Sequence, residues 1–216
     1  MSKKVLLKTC EDKIFSWASD GSLYILNDEN RFEKISELDF EYDFFIKGED
    51  IYIIKDRDVY LNGEKMNLGL DFPVRIMIKD NEFLVLDQES AILKIYNSNF
   101  KEIEVYGERG IEELEKGEEL YFMLPLDFDI MKDKIAIIDT GNRRTVIFNR
   151  ELDIIKRYPV VGKKVRFYDK NTLLVLFSET IYKIDLNENK IYETRYENII
   201  DFSIHPKTKE LIFLKE

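Results

Sequence analysis

Three aspartates and two arginines recur at one place in a repeating pattern, and they are the residues best placed to do chemistry. Counting back from successive apolar runs to the start of the preceding strand gives Asp43-Phe44, Arg75-Ile76, Asp127-Phe128, Val165-Arg166 and Asp201-Phe202. Only the first copy, Phe15-Ser16-Trp17, lacks a charge there. If these strand starts converge, Asp43, Asp127 and Asp201 could offer a hard cation such as calcium the oxygen ligands it prefers. They could equally pair with Arg75 and Arg166 around a water-filled channel, since a charged ring beside solvent needs no metal. The paired arrangement is the expectation, with no cofactor and with calcium as the alternative.

Composition excludes much other chemistry. His205 is the only histidine, so a multi-histidine metal site is impossible and a Ser-His-Asp triad would have to use this residue. Its place before Pro206 reads as a turn. Cys10 is the only cysteine, which rules out an intramolecular disulfide and a cysteine zinc site. No nucleophile elbow, phosphate loop or dinucleotide fingerprint is present. The formal net charge of −10 disfavours nucleic acid and anionic membrane as partners. The basic clusters at Arg143-Arg144, Lys156-Arg157 and Lys163-Lys164 read as solvated charge, with Arg144 reaching solvent. The first residues contain three consecutive apolar positions, short of the roughly 7–15 of a signal peptide. No run approaches the roughly 18 of a membrane span. The expectation is a soluble, cytoplasmic monomer.

The elements that would position these charges are six short runs, apolar at every position: 23–26, 51–54, 83–86, 135–138, 173–176 and 211–214. Each follows a polar turn, and another apolar-rich stretch precedes the turn, which is a hairpin signature. Six hairpins of one grammar are an internal repeat. A strand apolar throughout is buried on both faces. The connections are themselves strand-like, as in Ile92-Leu93-Lys94-Ile95-Tyr96, so sheets must cover sheets. Radial stacking achieves this, whereas a β-sandwich buries one face and predicts alternation. The fold expected is therefore all-β: one domain over 1–216, a six-bladed β-propeller with three- or four-stranded blades. A five-bladed propeller is the alternative. The short gap between the last run and the first suggests that the two termini share a blade, with Val5-Leu6-Leu7 pairing inside the 199–216 sheet.

The stretch from Tyr106 to Pro159 resembles an NHL repeat. The resemblance rests on Gly107, Gly110, Gly117, Phe122 and Pro125, and on Asp139-Thr140-Gly141-Asn142-Arg143-Arg144 followed by Val146-Ile147-Phe148-Asn149. Asn30-Arg31 and Asp87 with Ser90 are fainter echoes. The resemblance implies a six-bladed propeller whose binding face is the one where inner strands begin. Many such proteins are interaction modules. Lactonase-type propellers, which this fold also resembles, place a metal on the axis, but their Glu, Asn and Asp ligands find no match here in the proper order.

The longest gap between runs holds an insertion from Gly107 to Pro125, with a helical turn expected at 112–116. Arg109, Tyr121 and Phe122 from this insertion, with Arg143 from the adjacent turn, join Asp43, Arg75, Asp127, Arg166 and Asp201 as the candidate binding face. The function expected is a non-catalytic binding module for a protein or small-molecule ligand. A metal-dependent hydrolase on the same axis is the alternative. Charge reversal at Arg75 or Asp127 is expected to weaken binding and spare the fold.

Overall fold

The computed structural model describes residues 4–29, 31–114 and 120–215. Among them lie five four-stranded antiparallel sheets, each a meander in chain order. The first blade holds β1 (Lys4–Cys10), β2 (Lys13–Ala18), β3 (Ser22–Leu26) and β4 (Phe32–Glu37). The second holds β5 (Phe44–Lys47), β6 (Asp50–Lys55), β7 (Asp58–Leu61) and β8 (Glu64–Lys65). The third holds β9 (Pro73–Lys79), β10 (Glu82–Asp87), β11 (Ile92–Tyr96) and β12 (Glu102–Tyr106). A parallel pair, β13 (Glu108–Arg109) and β14 (Tyr121–Phe122), sits in the insertion. The fourth blade holds β15 (Pro125–Met131), β16 (Lys134–Asp139), β17 (Arg144–Asn149) and β18 (Ile154–Tyr158). The fifth holds β19 (Lys164–Asp169), β20 (Thr172–Phe177), β21 (Thr180–Asp185) and β22 (Lys190–Arg195). The last two strands, β23 (Ile199–Ile204) and β24 (Leu211–Lys215), form a two-stranded sheet of their own.

The propeller expectation holds, and the count of six blades is corrected to five, the alternative named from the sequence. The sixth apolar run, Leu211–Leu214, lies in the β23–β24 hairpin, which stands beside β1 without growing a third strand. Every blade has four strands, so the three-stranded blades also drop out. The first run, Leu23–Leu26, proves to be a third strand where the other runs are second strands. The reason is a hairpin turn at Glu11-Asp12, with Glu11 at φ 53°, that folds β1 onto β2 with Leu7 opposite Ser16 and Lys8 opposite Phe15. Val5-Leu6-Leu7 therefore belongs to the first blade, and pairing within the 199–216 sheet is not observed.

Two-sided burial holds for three of the six solid apolar runs, 83–86, 135–138 and 173–176, while 23–26, 51–54 and 211–214 stay partly open. Ile135 and Ile137 face the third blade in one cluster with Leu84, Leu86, Leu93 and Ile95. Ala136 and Ile138 face the fifth in another, with Val165, Leu173 and Val175. All four side chains on β16 are inaccessible to solvent. Outer hairpins close on a repeated polar device. The side-chain carbonyls of Asn27, Asn97 and Asn149 each accept an amide four residues on, from Arg31, Lys101 and Asp153. The echo at Asn30 lies outside the described residues.

Candidate functional site: an axial charge circuit beneath a cavity

The inner strands β1, β5, β9, β15, β19 and β23 stand around the axis, and their charged side chains link neighbour to neighbour. Lys8 is ion-paired with Asp43 and donates to the Ile76 carbonyl at 2.8 Å. Asp43 accepts the Ile76 amide at 2.9 Å and an Arg75 Nη at 3.0 Å. Arg75 Nε lies 2.7 Å from Asp127, a charge contact without an aligned hydrogen bond. Asp127 accepts the Val165 amide at 2.8 Å and an Arg166 Nη at 2.7 Å. Lys164 holds both oxygens of Asp201, at 2.8 and 2.9 Å. Asp201 takes the Leu7 amide at 2.7 Å, and Lys164 donates to the Leu7 carbonyl at 2.5 Å. Carboxylates on alternate inner strands thus cap amides and cations of the next strand round, and the ring returns to the first blade.

Lys8, Asp43, Arg75, Asp127, Lys164 and Asp201 are all buried, and burial sets their electrostatics. It pulls the Lys8 ammonium down to about 7, with the Arg75 charge adding to the fall and Asp43 resisting it. It pulls Lys164 down to about 8 against the pull of Asp201. Burial also works against the charge on Arg75, but Asp127 and Asp43 outweigh it and hold the guanidinium protonated above its ordinary value. Asp127 stays below the ordinary carboxylate range because Arg166 and Arg75 outweigh its desolvation.

Sequence reasoning found Asp43, Arg75, Asp127, Arg166 and Asp201, and the structure brings these five together. It missed Lys8, and its reading of Lys164 as solvated charge is corrected, since Lys164 is buried and paired with Asp201. Lys164, opposite Leu176, occupies the place that Asp127 holds opposite Ile138 and Arg75 holds opposite Leu86, so counting one residue further back would have found it. Lys8 was hidden by the misplaced first strand.

A calcium on this axis does not fit the donor set. Each oxygen of Asp43, Asp127 and Asp201 already faces a lysine, an arginine or a backbone amide. Charge reversal at Arg75 or Asp127, expected to spare the fold, would instead set like charges side by side in a buried circuit, because both are pairing partners in it.

Above the circuit, on the face where the inner strands begin, a cavity of about 280 Å³ opens. Leu6, Tyr42, Phe72, Val74, Leu126 and Ile200 give it apolar walls. Four cationic side chains, Arg75, Lys163, Lys164 and Arg166, line it against two carboxylates, Asp127 and Asp201. A second cavity of about 440 Å³ shares the Phe72 wall and adds Arg57, Arg109, Met123 and Leu124. Tyr42, Met123, Leu124 and Leu126 are exposed apolar side chains, with Leu124 half open to solvent. Leu124 is held at φ 53°, in the left-handed region a leucine seldom adopts.

The remaining candidates separate. Arg109 lines the second cavity. Tyr121 is half-buried, its ring so close to Gly110 that a Cβ there would lie 2.6 Å away. Phe122 is a core residue packed 6.3 Å from the Phe148 ring, so it cannot face a ligand. Arg143 is exposed in its turn at φ 53° and lines neither cavity. The helical turn of the insertion is a single 3-10 turn, Glu112–Leu114; residues 115, 116 and Gly117 lie outside the described residues.

The Asp139–Arg144 motif is a clasp on this insertion. Asp139, fully buried, accepts the Met123 amide at 2.7 Å, the Asn142 amide group at 2.7 Å and Arg144 Nε at 3.0 Å. Arg144 also reaches the Tyr121 carbonyl at 2.7 Å. Its expected solvent exposure is corrected: it is buried beside Asp139. Asp87 does the same work in the third blade, accepting the amides of Asp71, Phe72 and Ser90.

No family model and no curated protein matches the sequence. Solved structures do resemble the fold, and they are propellers. One is a nidogen/laminin complex, at TM-score 0.65 and 14% identity over 90% of this chain and 81% of that one. Another is the catalytically inactive histidine-to-alanine form of virginiamycin B lyase from Staphylococcus aureus with quinupristin, at TM-score 0.64 and 8% identity over 99% and 78%. A third is the Pan2 WD40 domain of Neurospora crassa, at TM-score 0.55 and 10% identity over 94% and 83%. At such identities the likeness shows the fold alone. Among the described residues no helix is long and apolar enough to cross a membrane.

Proposed function

We propose that the protein is a non-catalytic binding module that seats its ligand over the axial cavity. The observation carrying this reading is the pairing of a spent charge circuit with an open mouth above it. The carboxylates that could have held a metal or a proton in flight are committed to neighbouring strands. The mouth itself keeps exposed apolar side chains and, in Lys163, an exposed cation outside the circuit. Such a surface suits a ligand with an apolar body and an acidic group, protein or small molecule. The clasp that holds Leu124 outward at positive φ fits the same role, since strain of this kind gathers at ligand contacts.

The activity of the lyase among the structural neighbours is not carried over to this chain, because at 8% identity that likeness shows the fold alone. The chain's one histidine, His205, accepts the amides of Lys207 and Thr208 in the β23–β24 turn, away from the cavity. We read the fourth blade as an NHL-type repeat and the protein as a cytoplasmic monomer with neither nucleic acid nor membrane as partner, in keeping with its net charge of −10.

Selection from a displayed peptide library tests this. Enriched peptides are expected to pair apolar residues with Asp or Glu, and to lose at least tenfold in affinity, about 1.4 kcal/mol, against Leu124→Asp or Lys163→Glu. Both side chains are exposed, so the fold is spared. Binders indifferent to both substitutions, or none at all, would remove the reading.

A further inference from the structure

The axial cavity does not stand alone. It meets the second cavity, of about 440 Å³, along a ridge of two side chains, Phe72 and Gln88, which line both. The walls are apolar on either side, with Leu126 and Ile200 in the axial cavity and Met123 and Leu124 in the second. Two small cavities across a ridge suit a linear ligand that lays one side chain in each better than they suit one compact body.

Charge is distributed along the same line. In the second cavity Arg57 is ion-paired with Glu89 and lies 5.0 Å over the Phe72 ring, so these two charges answer each other. Arg109 is exposed and has no ion-pair partner among the described residues. In the axial cavity both carboxylates belong to the buried circuit. Lys163 is exposed there, bonded to the Ile200 carbonyl, with no carboxylate partner among the described residues. Each cavity thus presents one unanswered cation, in a chain whose net charge is −10.

Gln88 adds a polar handle between them. Its Nε2 donates to the Pro125 carbonyl at 3.1 Å, and because that carbonyl can only accept, the contact fixes which end of the amide is the oxygen. The Gln88 backbone amide is taken by the Phe72 carbonyl at 2.9 Å. Oε1 accepts no hydrogen bond among the described residues, on a ridge that a linear ligand has to cross.

We infer, resting on the binding reading above, that the partner is an extended acidic peptide segment of another protein, which crosses the ridge with one apolar side chain in each cavity. At the crossing it donates a main-chain N–H to Gln88 Oε1. Its flanking carboxylates meet Lys163 at one end and Arg109 at the other. Side chains two residues apart in an extended chain point the same way, about 7 Å apart, so the apolar pair brackets the residue over the ridge. A small molecule confined to the axial cavity would need neither Gln88 Oε1 nor Arg109.

The probe is the acetylated and amidated pentapeptide Glu-Leu-Ser-Leu-Glu, titrated into the full chain and followed by amide NMR. Binding at millimolar peptide or below is expected. N-methylation of the serine nitrogen, tested on the unaltered protein, weakens it about fivefold. Arg109→Glu and Lys163→Glu each weaken it by about fivefold or more. Both side chains are exposed, so the fold is spared. Lysine in place of one of the two terminal glutamates restores binding to the Arg109→Glu variant, and which of the two does so gives the direction of the chain. Full affinity for the N-methylated peptide, or in the Arg109→Glu variant, would overturn the inference. If either occurs while Lys163→Glu still weakens binding, the ligand is confined to the axial mouth, and the binding reading stands without the peptide. No shift at millimolar peptide overturns it too, and the displayed library then decides the axial reading separately.

Discussion

Buried charge governs both the axis and the clasp, and its consequences at single residues can be measured. Among the described residues Arg144 is the one cation that Asp139 contacts, and Asp139 is fully buried. Burial raises the Asp139 carboxyl against the Met123 amide, Asn142 and Arg144, which hold the charged form. Arg144→Ala should therefore cost about 3 kcal/mol, read from the denaturant midpoint, because it strands a buried carboxylate. A silent substitution would show that the clasp does not hold the insertion. Lys8 and Lys164 make a pH prediction. Their native values, about 7 and about 8, lie below the ordinary lysine value of 10.5. Between these values the unfolded chain keeps protons that the native state has released, so stability rises with pH across this window. Below pH 7 both states are protonated and these lysines add no slope. Melting at pH 6.5 and 9.5 checks this, and Lys164→Met should flatten the rise.

At the scale of elements, the second strands of the third, fourth and fifth blades carry the burden of two-sided packing. β16 is the clearest case, with Ile137 against the third blade and Ile138 against the fifth. Ile137→Asp places an unpaired carboxylate between blades, at a cost above about 4 kcal/mol. The variant should be unfolded at neutral pH by circular dichroism; a native denaturation curve would show that the strand is not buried on both sides. Runs apolar at every position announced this burial in the sequence. What they could not announce was their rank in the blade. Leu23–Leu26 looks like the other runs, yet it is a third strand, because a turn at Glu11-Asp12 adds a strand before it.

For the whole molecule, the question is how a ring with a two-stranded sector stays closed. The join rests on Asp201, which ties the Leu7 amide and Lys164 across the seam, and on the Thr9 and Ser203 hydroxyls 2.6 Å apart. No strand of one terminal sheet pairs with the other among the described residues. Asp201→Ala should lower stability by about 3 kcal/mol, since it leaves Lys164 buried without its carboxylate. Exchange should quicken first in β1 and β23 if the seam is the weak point. Uniform quickening across all blades would place the closure elsewhere.

Much of this architecture was legible without coordinates. Period and apolarity are local properties, so the hairpins, the propeller class and the charged strand starts could be read along the chain. The aspartates at 43, 127 and 201 stood out because a carboxylate opening an apolar strand needs a partner. Which partner it finds is decided only by tertiary structure. Leu7 meets Asp201 across 194 residues, and Lys8 meets Asp43 across 35, after the ring has formed. The same long-range packing puts Arg144 inside, though arginine is mostly a surface residue, and puts Phe122 in the core and off the binding face. It also decides that β23 and β24 stand as a two-stranded sheet among the described residues, though their apolar run reads like the others.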